Sequence, residues 1–174
     1  MSKVTEARNF AKKKHAGQLR KNGKTTTFSH LKDVVINLKK MKVKNNDTIC
    51  AAGLHDTIED TDTDFDSIRD RFGKNVADIV VSVTKDNRLP KKQREIKYAK
   101  DLKSSNIKSK IVKIADILAN VNDAPNAGRN TQWEKQQFVK KSKYWSYVSG
   151  VKPGKLAELS WANSEWNRLQ EKYS

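Results

Sequence analysis

Apolar residues return every three or four positions along almost the whole chain, and that period restricts it to helix. Val4, Ala7, Phe10 and Ala11 predict a first helix over about 3–16. Val34, Val35 and Leu38 predict a second over about 31–41, with Ser29 as its cap. The mostly apolar run Asn46–Gly53 follows, with Asn45 or Asn46 placed to cap it. Phe65, Ile68 and Phe72 mark a short helix that Gly73 ends, and Val76 to Val83 mark the next. A charged helix over about 92–104 leads to the apolar stretch Ile107–Val121, and after a loop two more helices span about 131–149 and 154–172. Three prolines and seven glycines are too few for a loop-rich β protein. The expectation is an all-α fold, with all 174 residues in one domain. Its motif-bearing core runs over about 3–124, and the C-terminal helices over about 131–172.

Charge narrows the partners. The 36 lysines and arginines exceed the 20 acids by 16, a field that draws polyanions: nucleic acid, an anionic membrane, or a heavily phosphorylated small molecule. The basic residues are spread through the chain, which also suits solvated helix faces. Cys50 is the single cysteine and lies on an apolar run, so it is expected buried and reduced, in a cytoplasmic protein. The charged N-terminus predicts no signal peptide, and no uncharged run is long enough to cross a bilayer.

Two places break the apolar pattern with groups that are costly to bury. One is His55-Asp56-Thr57-Ile58-Glu59-Asp60-Thr61, where imidazole and carboxylate meet at the end of a buried helix. The other is Asp116, set among Ile114, Ala115, Ile117 and Leu118, with Asn120 four residues on. His30, His55, Asp56 and Asp116 could meet on one divalent cation. Two imidazoles and two carboxylates suit Mn, Fe or Zn. Such an ion polarises a phosphoryl oxygen and lowers the pKa of water, and Glu59 and Asp60 lie close enough in sequence to orient or deprotonate that water and protonate a leaving group. Each residue alone has a plainer explanation: His30 as a helix cap, Asp116 as a hydrogen-bonded buried acid, Glu59-Asp60 as an acidic cap. Residues 15–24 read as a basic loop. Its glycines, Gly17 and Gly23, are one residue too far apart for a P-loop, and it follows a helix instead of a strand.

His15-Ala16-Gly17-Gln18-x-Arg20-Lys21-x-Gly23, Phe28-x-His30, His55-Asp56-Thr57-Ile58-Glu59-Asp60-Thr61, Phe72-Gly73, Val83-Thr84-Lys85 and Lys113-Ile114-Ala115-Asp116-x-Leu118-x-Asn120 occur in order. Together they resemble the hydrolase domain of RelA/SpoT enzymes, and more closely the stand-alone small alarmone hydrolases that include the metazoan SpoT homologs. The similarity covers about residues 6–124. It implies an HD-type helical bundle holding manganese through His30, His55, Asp56 and Asp116, with Glu59 and Asp60 acting on the water. Arg20 and Lys21 would hold substrate phosphates, and Asn120 would line the site. The implied reaction removes the 3′-pyrophosphate of (p)ppGpp to give GDP or GTP. The family's Tyr and Pro near the first metal histidine are Phe28 and Leu31 here, and its basic residue after the second aspartate is Ile117. Another nucleotide substrate, such as ppApp, NADPH or a nucleoside monophosphate, is the alternative enzyme. A basic nucleic-acid-binding module is the alternative from another class, without a recognisable nucleic-acid motif behind it. Tyr144, Trp145 and Tyr147 either pack the C-terminal helices or supply a ring to stack on a purine.

Overall fold

The computed structural model describes residues 1–20, 22–150 and 157–174. It contains α1 (Lys3–Lys14), α2 (Thr27–Lys40), α3 (Asn46–Leu54), α4 (Thr57–Asp60), α5 (Phe65–Phe72), α6 (Lys74–Val83), α7 (Lys91–Ser104), α8 (Ile107–Asp123), α9 (Thr131–Val148) and α10 (Ala157–Tyr173), with a 3-10 turn at Ala124–Ala127. Among the described residues there is no strand, only one isolated antiparallel bridge between Leu19 and Thr26. The fold is all-α, as the apolar period requires.

Most of these helices start on a short polar side chain that accepts the N–H three residues on: Ser2, Asn45, Asp64, Asn106 and Asn130 all do so. Helix α2 departs from expectation. It begins four residues before position 31, and Thr26, not Ser29, is the cap, its hydroxyl accepting the Ser29 N–H at 3.2 Å. The chain is already turned there by the Leu19–Thr26 bridge, which no apolar period announces. His30 therefore lies inside the first turn of α2. Gly73 separates α5 from α6 at φ 86°, a backbone that residues with a Cβ rarely adopt. The expected start of α10 at 154 lies outside the described residues.

Helix α8 is the axis of the core. Ile111, Val112, Ile114, Ala115, Ile117, Leu118 and Val121 are all buried, so nearly every face of this helix is covered. Helices α2, α3, α6, α9 and α10 pack around it. Leu31, Val34 and Leu38 come from α2, and Cys50, Ala51, Ala52 and Leu54 from α3. Cys50 is buried, as expected. Burying an aliphatic side chain of this size is worth about 1.5–3 kcal/mol, so this interface dominates the helix bundle. The C-terminal pair extends this core with an aromatic group: Trp145 stacks on Trp166 at 4.3 Å between centroids, and Phe138 stacks on Trp166 and Tyr173.

Candidate functional site

Three helices deliver the polar groups that the apolar pattern singled out. His30 comes from the first turn of α2, His55 caps the end of α3 with Asp56 next to it, and Asp116 lies mid-way along α8. His30 Nε2 is 3.1 Å from Asp116 Oδ1 and 3.9 Å from Asp56 Oδ2. His55 Nε2 is 3.1 Å from Asp56 Oδ1 and 3.6 Å from Asp116 Oδ1. Ligand atoms of His30, His55 and Asp56 all fall within 4.8 Å of one another, the spacing of donors around one ion. Asp116 Oδ1 joins both imidazoles from the α8 side.

The tautomer of His55 follows from its neighbour. Its Nδ1 is 2.9 Å from the Ala52 carbonyl, which can only accept, so Nδ1 carries the hydrogen and Nε2 keeps its lone pair in the neutral ring. That Nε2 is buried and aligned for a hydrogen bond to nothing, despite the carboxylate oxygens beside it. A buried orphan of this kind, ringed by two carboxylates and a second imidazole, fits a divalent cation. Charge agrees. Burial opposes a charge on His55, but Asp56 and Asp116 outweigh it and push the imidazole up to about 10. At His30 burial wins, and its pKa falls. Asp56 is held low by the charge of His55, against the effect of burial. The pocket thus attracts positive charge, which a metal ion would meet.

Asp116 divides its two oxygens. Oδ1 faces the histidines and also accepts from the Asn120 amide, while Oδ2 accepts from Lys113 Nζ at 2.7 Å. Burial would raise this carboxyl, but Lys113 holds it well below the usual range. Lys113 is itself buried and lies over the rings of Tyr98 and Tyr144. Asn120 then passes the connection outward: its Oδ1 accepts from Arg20 Nη2 at 3.0 Å, and Arg20 Nε pairs with Asp123 at 3.1 Å. Arg20 is thereby fixed on the loop that Asn22 folds, the Asn22 Oδ1 accepting the N–H groups of Lys24 and Thr25. Lys21 lies outside the described residues.

Glu59 and Asp60 sit on α4, one turn beyond Asp56, and differ in setting. A Glu59 carboxylate oxygen accepts the Lys85 N–H at 3.0 Å. Asp60 lines an open cavity of about 570 Å³ together with Asp56, Arg20, Asn120, Trp133 and Lys141. Burial pushes both acids above their ordinary pKa, with Asp56 adding to the effect. The volume suits a nucleotide, since small-molecule sites commonly span about 300–1,000 Å³. His15 is buried at the end of α1 with Nδ1 2.7 Å from Gln18 Oε1, a helix-end role apart from the four donors.

Three contributions were missed from sequence: the Lys113 counter-charge, the Asp123 clamp on Arg20, and Lys141. The i,i+3 spacing of Lys113 and Asp116 on an apolar helix was the one available signal. The aromatic candidates divide otherwise than expected. Tyr144 is tied to Glu95 and Lys85, and Trp145 to Trp166, while Tyr147 lines a different groove; Trp133 is the aromatic residue on this cavity. Ile117 is fully buried in the core.

A family model described as HD domain matches residues 7–142. The chain belongs to the HD domain family. It is 35% identical over 153 residues to a Xenopus tropicalis protein named guanosine-3′,5′-bis(diphosphate) 3′-pyrophosphohydrolase MESH1, covering 87% of this chain and 83% of that protein. A Danio rerio protein of the same name is 36% identical over the same shares. Among solved structures, one described as a metazoan ortholog of SpoT that hydrolyzes ppGpp superposes with a TM-score of 0.83 at 27% identity, covering 99% of this chain and 96% of that one. The HD fold expected from the motifs is thus the fold found.

Proposed function

We propose that this protein is a manganese-dependent hydrolase that removes the 3′-pyrophosphate from (p)ppGpp, giving GDP or GTP and pyrophosphate, with residues 1–174 acting as one catalytic domain in the cytoplasm. The observation that carries it is the orphaned His55 Nε2 facing Asp56, His30 and Asp116 at the end of a cavity walled by Arg20 and Lys141. The relatives' activity supports the same reaction, and the basic walls suit a substrate with two pyrophosphate groups.

His30, His55, Asp56 and Asp116 would hold the ion. A divalent ion supplies Lewis acidity, drawing charge from a phosphoryl oxygen and easing loss of a proton from water. Arg20, pre-set by Asn120 and Asp123, and Lys21 would bind substrate phosphates. Glu59 and Asp60 would share the proton traffic. Water oxygen bonds to the phosphorus next to the ribose, the bond from that phosphorus to O3′ breaks, and O3′ leaves with a proton. Acids with raised pKa values are suited to take and return that proton. Trp133 is the ring available to the base.

The deciding experiment incubates the pure protein and manganese with ppGpp, ppApp, NADPH and deoxynucleoside monophosphates and identifies the products. Pyrophosphate and GDP from ppGpp are expected. Orthophosphate alone would defeat the assignment.

A further inference from the structure

Asp56, Asp60 and Asp123 line the cavity, with Asp116 next to the two histidines behind it, and a pyrophosphate group must approach these acids. Even with a divalent ion present, such a group needs cations of the protein beside it. Lys113 is unsuited, because it is buried and tied to Asp116 at 2.7 Å. Arg20 is fixed to Asn120 and Asp123 on the loop side. Lys141 is differently placed. It projects from α9 and is half-buried on the cavity wall that carries Asp56 and Asp60. Asp56 and Asp116 attract it through space, without a hydrogen bond to either.

We propose that Lys141 binds the substrate's 3′-pyrophosphate and retains pyrophosphate after cleavage. This deepens the pyrophosphohydrolase assignment and rests on it for the identity of the substrate. Burial and the like charge of Lys113 push Lys141 down to about 8, although Asp116 and Asp56 favour its charge. An ammonium partly withdrawn from water gains when an anion reaches it. It also stays charged near neutrality, as phosphate binding requires. A lysine there acts as a point charge with rotatable donors, fitted to a group that changes from ester to free anion during the reaction.

The test is equilibrium dialysis of radiolabelled inorganic pyrophosphate against the full-length protein, with free manganese buffered, for wild type, Lys141→Met and Lys141→Arg. Loss of one charge-assisted contact should weaken binding about tenfold or more in Lys141→Met. Lys141→Arg should restore it to within about threefold. Manganese affinity should not fall in either variant, which separates phosphate binding from a purely structural counter-charge. Equal pyrophosphate binding by wild type and Lys141→Met would overturn the proposal, as would a wild type that binds none. Lys141-dependent binding in a protein that releases no pyrophosphate from ppGpp would leave this inference standing and sink the substrate assignment instead.

Discussion

Where α8 meets α2 and α3, the buried groups are charged, and each is held by a specific neighbour: Asp116 by Lys113, Asn120 and His30, and His55 by the Ala52 carbonyl. Where α9 meets α10, the buried groups are rings: Trp145 on Trp166, and Phe138 between Trp166 and Tyr173. The two regions tolerate change differently. A buried ion that loses its partner keeps its desolvation cost, whereas a stacked ring that becomes an aliphatic side chain loses only contact area. One interface couples stability to chemistry, and the other should supply stability alone.

Removing the carboxylate of Asp116 tests that coupling most severely. Asp116→Ala should lose bound manganese and essentially all turnover, and should also cost about 3–5 kcal/mol of stability because the Lys113 ammonium is left unpaired. Metal analysis and denaturant titration read the two effects, and a variant that lost activity at full stability would break the comparison. Glu59→Gln sharpens it from within the site. Glu59 accepts one N–H, and glutamine keeps its shape and an accepting oxygen, so the variant should keep metal and stability yet lose turnover about 10²–10⁴-fold, read by pyrophosphate release. On the aromatic side, Trp166→Leu should cost about 1–3 kcal/mol in the same denaturation assay, with manganese affinity and KM unchanged. A loss of metal there would show that the two regions are not separable. The smallest effect is on pH. Burial raises Glu59 and Asp60, and a base must be ionised, so kcat should fall on acidification at a pH above the ordinary carboxylate range near 4.3. An acid limb at or below that range would contradict the roles given to these acids.

The same contrast explains what the sequence made legible. Asp116 and His55-Asp56 stood out because a polar group inside an apolar helical period is an anomaly that demands a partner. The helices themselves follow from period and caps, and α2 begins earlier than its period indicates because a turn, not a periodic run, sets its start. His30 was readable only as one of a set, since a lone histidine near a helix start has plainer uses. Lys141 and Asp123 are not readable as site residues, and Lys113 is readable only through its spacing from Asp116. With 36 lysines and arginines in the chain, no single one is conspicuous, and the pairing of Arg20 with Asn120 joins residues 100 positions apart. The rings gave a similar false lead. Tyr144, Trp145 and Tyr147 cluster in sequence, while Trp133, about three turns earlier on the same helix, reaches the cavity.

Asn120 touches both Asp116 and Arg20, and so ties the proposed seat of the ion to the side chain proposed to grip the phosphate. A substrate that pulls Arg20 into a new alignment must also tug on the amide steadying Asp116. By linkage, whatever tightening this gives the ion, the ion returns equally to the nucleotide. Manganese titrations with and without an uncleaved nucleotide would measure that exchange, and Asn120→Ala should uncouple the two partners without abolishing either.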